Sequence, residues 1–458
     1  MRVAVAVVIL AILAPALNLF LTVTALPTIL AEIGGLALYA WTIIAYSVAS
    51  IVGSAASSVM ARRLALRGAL VAAGAVFVAG CAVCGAAPSM LIVVLGRAVQ
   101  GLGGGMITGV VHAMIREVFP SHLWSRMLAT ISVAWGVAAL TGPLIGGLLA
   151  ERGLWRFAFW AMIPFVAIVV ALAWGLLPAR PRALQEHGAP LGRLSLLCAA
   201  VLALAFVANA ETAATRAGLL VVMAATITAA LALDARASAR LFPSGMLSLR
   251  RPIGKCFWMI FLIVMAVSPV GIYMSLLLQR VHGASPAIAG YVFAGHSLAW
   301  TAMAIVTARI PPHRVRIAIV AGPFIVAAGL SALFATIGGG PLAAVALGIV
   351  MEGMGIGTCW AHIGSVVFAS ARPGEEEATA ALVPSTQVFA ISFGSAVSGV
   401  IASAVGLTRD ASPAVAAATG QALFGAFAAL AVIAGLIALT LRGATHGRAC
   451  GATAPLKR

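Results

Sequence analysis

Eleven acidic residues occur in this chain of 458, and their positions single one of them out. Glu32, Glu151, Glu211 and Asp410 fall between apolar runs on one side. Glu117, Glu186, Asp234, Glu375, Glu376 and Glu377 fall between apolar runs on the other. Glu352 alone sits deep inside an apolar run, about ten residues or roughly 15 Å from its end. A carboxylate at that depth is costly unless it faces a partner or a water-filled cavity, and such groups carry protons or bind solutes. Glu352 is therefore the expected proton-coupling residue. The alternative is a structural glutamate bonded to a neighbouring helix.

Arg97 is the deep cation. It opens the stretch Gly96-Arg97-Ala98-Val99-Gln100-Gly101, with Gly103, Gly104 and Gly105 close behind. At about 100° per residue, Arg97, Gln100, Thr108 and His112 share one arc of a helix. Glu352, Gly355, Cys359 and His362 share a narrower arc of another. Asn18 aligns with Thr22, and Ser268 with Ser275 and Gln279. Each of these four apolar runs thus carries its polar residues on one face. His112, His296 and His362 can relay protons or hydrogen-bond across helices. Trp258, Trp300 and Trp360 can stack on a flat solute or anchor at the lipid interface.

The elements that must position these groups are membrane helices. Hydrophobic residues make up 63% of the chain and charged residues 9%, against about 25% charged in soluble domains. Mean hydropathy is +1.12. Runs of about 20 apolar residues, enough to span a bilayer, recur near 4–30, 38–60, 68–87, 90–115, 127–150, 157–178, 191–209, 217–234, 256–279, 287–308, 317–337, 341–368, 379–404 and 415–441. The expected fold class is an all-α polytopic membrane protein with fourteen spans. The first run is much longer than the 7–15 apolar residues of a signal peptide, so it reads as a membrane helix.

The net charge of +17 lies in short turns, where it reads as a topology signal rather than a nucleic-acid surface. With the N-terminus in the cytoplasm, that side collects Arg62, Arg63, Arg67, Arg116, Arg126, Arg180, Arg182, Arg193, Arg236, Arg240, Arg250, Arg251, Lys255, Arg309, Arg314 and Arg316. The other side holds Arg152, Arg156, Arg216, Arg280 and Arg409. Both termini are expected in the cytoplasm, in a multi-pass protein of the bacterial plasma (inner) membrane.

The chain repeats itself. Leu95 to Gly105 is echoed by Leu347 to Gly357, with Gln100 matched by Glu352. Ala61-Arg62…Arg67…Ala73-Gly74 is echoed by Ala308-Arg309…Arg314…Ala321-Gly322. Two copies of a six-helix unit follow, with the seventh and eighth spans inserted between them. The divisions are 1–178, 179–255, 256–441 and a tail, 442–458. Parallel repeats of this kind mark two-halved transporters with a solute site near the midplane.

These residues resemble the major facilitator superfamily, and within it the fourteen-helix drug:H+ antiporters (QacA/EmrB-like). The match runs through Asn18 to Ile29 (NLFLTVTALPTI), Arg97-x-x-Gln100-Gly101, Gly142-Pro143-x-x-Gly146-Gly147, Trp155-Arg156-Phe157…Phe159…Pro164, and the tract from Asp234 to Gly254. The resemblance implies two six-helix bundles that rock around a midplane cavity. It implies a cavity lined from the first, fourth, ninth and twelfth spans: Asn18, Thr22, Arg97, Gln100, Thr108, His112, Ser275, Gln279, Cys359 and His362, with His296 nearby. Gly101, Gly105, Gly136, Gly142, Pro143, Gly146 and Gly147 are the expected hinge and packing positions, since small residues let helices approach and proline frees a backbone acceptor. Arg62 and Arg67 are the expected cytoplasmic gate.

Two departures from the family pattern stand out. Asn18 takes the place of an aspartate, which removes a proton carrier. Ala61 takes the place of the acid in the loop after the second span, where Leu64 also replaces a glycine.

The cysteines read as small hydrophobes. There is no metal-ligand spacing, no catalytic triad and no G-x-x-x-x-G-K-[ST] loop, so no enzyme activity, cofactor or metal is expected. The expected function is secondary transport by alternating access, with proton-coupled export of amphipathic organic solutes. The expected partners are a small-molecule substrate, protons and lipid, with the protein acting as a monomer. Proton-independent uptake or facilitated passage, and a non-transporting subunit or sensor, are the alternatives.

Overall fold

Hydrophobic length alone dictates the architecture of the computed structural model. It describes residues 2–120, 123–175, 191–237, 242–372, 375–408 and 411–441. The N-terminal helices are α1 (Arg2–Ile33), α2 (Trp41–Gly85), α3 (Met90–Val118), α4 (Trp124–Glu151), α5 (Phe157–Trp160) and α6 (Met162–Trp174). There follow α7 (Leu191–Val207), α8 (Ala213–Arg236), α9 (Pro252–His282), α10 (Pro286–Thr307), α11 (Val315–Thr336), α12 (Leu342–Ala369), α13 (Glu376–Val405) and α14 (Pro413–Leu439). Among the described residues thirteen helical segments are long and apolar enough to cross a bilayer, and α7 is a shorter apolar helix.

Two elements differ from the simple sequence reading. The second and third spans run together as α2, 45 residues long, with a break at Ala65 (φ 57, ψ 171). The basic turn between them is thus a kink rather than a loop. The sixth span is divided into α5 and α6.

Helices α1 to α6 pack among themselves, and so do α9 to α14. The internal repeat is carried through to single contacts. Gly101 on α3 lies so close to α2 that a Cβ would clash with the Tyr46 carbonyl oxygen. Gly353 on α12 stands in the same relation to the His296 carbonyl oxygen on α10. A Cβ on Gly80 would lie 2.5 Å from the Gln100 nitrogen, and one on Gly329 would lie 2.6 Å from the Glu352 nitrogen. Real Cβ atoms do not approach so closely, so these glycines set the helix spacing.

The halves meet along two pseudo-equivalent seams. In one, α4 packs on α10: a Cβ at Gly147 would lie 2.7 Å from the Pro286 carbonyl oxygen, and Gly290 abuts the Pro143 carbonyl. In the other, α2 packs on α13, with a Gly399 Cβ in ordinary contact with Ala40 at 3.4 Å. Between the seams, Ser275 of α9 reaches the Thr24 carbonyl of α1 at 3.5 Å, and the Tyr39 and Tyr273 rings lie 5.4 Å apart. These contacts cluster at the end of the bundle that carries Glu32, where the halves are shut against each other.

The inserted α7 lies over the second seam. Its Cys198, Val201, Leu204 and Ala205 join Ile44, Val48 and Ile51 of α2 and Phe389 and Ala396 of α13 in one apolar cluster. Arg193 pairs with Asp234, tying α7 to α8. Trp155 and Arg156 both bond Glu32, at 2.6 Å each, and fasten the end of α1 to the approach to α5.

Candidate functional site

Two polar clusters lie inside the bundle, one in each half. The first surrounds Arg97, which is fully buried. Its Nη1 donates to Asn18 Oδ1 (2.8 Å) and Gln100 Oε1 (3.0 Å). Its Nε donates to the Thr42 carbonyl at 3.3 Å. The guanidinium lies 4.1 Å over the Tyr46 ring. Gln100 is held in turn by its Nε2 donating to Cys81 Sγ at 3.0 Å, while the Cys84 thiol lies 3.6 Å from its Oε1. No carboxylate pairs with Arg97 among the described residues. Its solvation comes from neutral dipoles and an aromatic face, with Nη2 unpartnered.

The second cluster surrounds Glu352, also fully buried. Its Oε2 bonds His296 Nδ1 on α10, and its Oε1 has no partner. The His296 side chain keeps 12% of its surface accessible. It stacks on Phe293 at 5.9 Å and meets the edge of Trp300 at 5.9 Å; Trp300 then meets Trp360 at 6.0 Å. An aromatic series therefore runs beside the buried acid.

The two clusters occupy equivalent places in the repeat. The Tyr46 carbonyl faces Gly101 as the His296 carbonyl faces Gly353, and the Tyr46 ring meets Arg97 where His296 bonds Glu352. The N-terminal copy holds a permanent cation between neutral groups. The C-terminal copy holds a carboxyl group bonded to an imidazole.

The remaining expected residues divide. Gln279 Nε2 donates to Ser275 Oγ at 3.2 Å, on the line where α9 meets α1. Thr22 returns its hydroxyl to the Asn18 carbonyl (2.8 Å), and Thr108 to the Gly104 carbonyl (2.9 Å). His112 Nδ1 lies 2.8 Å from the Thr108 carbonyl, part-buried, apart from the Arg97 cluster. His362 is 9% exposed, and its Nε2 has no partner. Cys359 is fully buried and faces α11, filling the space against Gly322. No hydrogen bond joins Arg97 to Glu352 among the described residues.

Of the expected packing positions, Gly105 abuts the Ser50 carbonyl. Gly142 and Gly146 face Phe20 and Leu21 of α1, and Gly147 and Pro143 face α10. Gly136 is an exception, since a Cβ there meets nothing within 4 Å. Arg67 lies over the Trp174 ring at 3.4 Å, within its own half. The side chain of Arg62 lies outside the described residues.

Three partners escaped sequence reasoning. Cys81 and Cys84 read as small hydrophobes, yet they hold Gln100. Glu32 reads as lying between apolar runs, yet it anchors Trp155 and Arg156. His296 has no partner legible in the sequence: the repeat offset of 252 that pairs Gln100 with Glu352 leads from Tyr46 to Leu298.

The sequence matches the family model of the Major Facilitator Superfamily over residues 8–395. It is similar to a probable multidrug-efflux transporter of Mycobacterium tuberculosis (strain ATCC 25618 / H37Rv), at 34% identity over 399 residues, 84% of each chain. An uncharacterized transporter of Schizosaccharomyces pombe (strain 972 / ATCC 24843) is 38% identical over 167 residues, 36% of this chain and 28% of that one. Among solved structures, an autoinhibited POT family peptide transporter superposes with a TM-score of 0.69 at 15% identity, covering 97% of this chain and 98% of its own. The human organic anion transporter MFSD10 (TETRAN) superposes with a TM-score of 0.61 at 17% identity, covering 95% and 99%. At these identities the structures speak for the fold alone. The chain is a multi-pass membrane transporter, not an enzyme, and belongs to the Major Facilitator Superfamily.

Proposed function

We propose that this transporter exports amphipathic organic solutes in exchange for protons, and that His296 and Glu352 together form the proton site. The observation that carries the reading is the buried Glu352 bonded to a part-accessible histidine. The acid is out of reach of solvent, and the imidazole is the group through which a proton could arrive. The efflux relative supports the export direction. The apolar bundle, with few polar anchors and the aromatic run Phe293, His296, Trp300 and Trp360, supports a solute that is largely hydrophobic.

The charge bias of the turns supports an orientation with the arginine-rich end, and both termini, in the cytoplasm of a bacterial inner membrane. The end closed by Gly147–Pro286, Gly399–Ala40 and Tyr39–Tyr273 is then the outer end, and this is the state that loads solute from inside. Proton binding at His296–Glu352 and solute binding beside it would be linked, so one would release the other. The protein is expected to act as a monomer. Its units are the bundles 1–178 and 256–441, the inserted pair within 179–255 and the tail 442–458. Gate roles for Arg62 and Arg67 belong to this reading, with Arg67 acting through α6.

A second reading, transport without protons, draws on Asn18. The Arg97 cluster contains no carboxylic acid among the described residues. One experiment separates the two readings. Purified protein in vesicles is offered a panel of lipophilic dyes, with and without an imposed pH gradient, and compared with Glu352→Gln. Gradient-driven dye movement that is lost in the variant supports antiport. Movement unaffected by collapsing the gradient, and unchanged in Glu352→Gln, refutes it.

A further inference from the structure

A cavity lies away from both clusters, at the closed end of the bundle. Its volume is about 400 Å³, within the range of sites that hold drug-sized molecules. Its walls come from all three parts of the chain. Trp41 and Ile44 belong to α2, Ala205 and Ala208 to α7 and the turn after it, Tyr273 to α9, and Ala396 and Gly399 to α13.

Three features define what fits there. The wall is mostly alanine, glycine and larger apolar side chains, and no charged side chain lines it among the described residues. The described lining thus offers no charged side chain to pair with a charged ligand. Among the lining polar groups, Tyr273 and Asn209 retain donors. Tyr273 is only 3% exposed and lines the cavity, yet its hydroxyl bonds no described residue. Asn209 accepts from Trp41 Nε1 through its Oδ1, which leaves its amide N–H groups without a protein partner among the described residues. Ser403 is already spent on the Ala208 carbonyl (2.9 Å), and the Thr408 carbonyl on Arg280.

We infer that this cavity is a binding site for an uncharged, largely apolar organic molecule carrying a hydrogen-bond acceptor such as a ketone, ester or ether. The acceptor takes the Tyr273 hydroxyl and the Asn209 amide, and the apolar body lies against the alanine-rich walls. Because the site spans α2 of one half and α9 and α13 of the other, an occupant holds the closed end shut. Its occupancy therefore opposes the opening that solute release at this end requires. The site stands apart from His296–Glu352 and does not depend on proton coupling.

The probe is benzophenone, a neutral diaryl ketone that inserts into nearby C–H bonds on irradiation. Full-length protein in nanodiscs is irradiated over a range of benzophenone concentrations, and the labelled peptides are mapped. The expected result is saturable labelling within 36–44, 205–209 or 396–408. Tyr273→Phe raises the half-saturating concentration about five-fold, as the loss of one neutral hydrogen bond implies. Ser403→Phe fills the space and abolishes the saturable labelling. Gly399→Leu is a second plug, at a position whose Cβ has ordinary clearance. A benzophenone carrying a quaternary ammonium does not compete. The site is refuted if labelling is spread without saturation over the lipid-facing residues of α8 and α14, or if pocket labelling persists unchanged in both plugged variants. Glu352→Gln should label as wild type, so failure of antiport and failure of this site are told apart.

Discussion

The bond between His296 and Glu352 can be weighed by a double-mutant cycle. Glu352→Met keeps the bulk of the side chain and removes the acid. His296→Phe keeps the ring that stacks on Phe293 and meets Trp300, and removes the nitrogen. The single changes are not equivalent. With His296→Phe, Glu352 remains fully buried with neither carboxylate oxygen satisfied, since Oε1 already lacks a partner. Leaving a buried polar group unsatisfied costs about 1–3 kcal/mol, and more for a charged one. Glu352→Met strands only the imidazole, whose side chain is part-exposed and can turn to water, so it costs about 1 kcal/mol or less.

The double variant has no stranded group and should be no less stable than His296→Phe alone. The resulting coupling is about 1–2 kcal/mol, at the upper end for helix-to-helix hydrogen bonds in membranes. Equilibrium unfolding of the four proteins in mixed anionic and nonionic detergent measures it. Additivity within about 0.5 kcal/mol, or a His296→Phe protein as stable as wild type, would show that the two side chains do not act as a pair.

Further outcomes follow from the same contacts. Gly101→Ala and Gly353→Ala should each destabilise by about 1–3 kcal/mol, the usual cost of overpacking, whereas Gly136→Ala should change little; thermal unfolding ranks the three. Arg97→Lys should fail to restore what Arg97→Gln loses in transport, since one ammonium cannot bridge Asn18, Gln100 and the Thr42 carbonyl in the planar geometry of the guanidinium. A Lys variant with wild-type turnover would overturn that. Glu32→Gln should lower stability by less than about 1 kcal/mol, because its pairing with Arg156 is substantially exposed (32% and 45% for the two side chains). A larger loss in the same unfolding assay would mean the buried Trp155 bond carries the anchor.

The spans, their number and the repeat were legible because hydrophobic length and small-residue spacing are local properties. Gly101 and Gly353 announce their close contacts by type alone. The partners of Arg97 and Glu352 were harder. Asn18 could be placed near Arg97 by depth, but Cys81 and Cys84 look like any small apolar residues until their helix is docked against Gln100. His296 is 56 positions from Glu352, so only the fold brings them together. Cys359 shares its helical arc with Glu352 yet packs on Gly322, because an arc defines a direction and not what stands opposite. Gly136 shows the converse: a glycine in a glycine-rich helix need not touch anything.

The placement of α7 makes the molecule lopsided in the plane of the bilayer. A two-fold transporter has two lateral flanks, and lipid would ordinarily wet both. Here α7 roofs the flank between α2 and α13, while along the other flank Val133, Val137, Tyr291, Leu298 and Ile305 remain uncovered. A molecule dissolved in the membrane therefore meets the bare faces of α4 and α10 on one side and an added wall on the other.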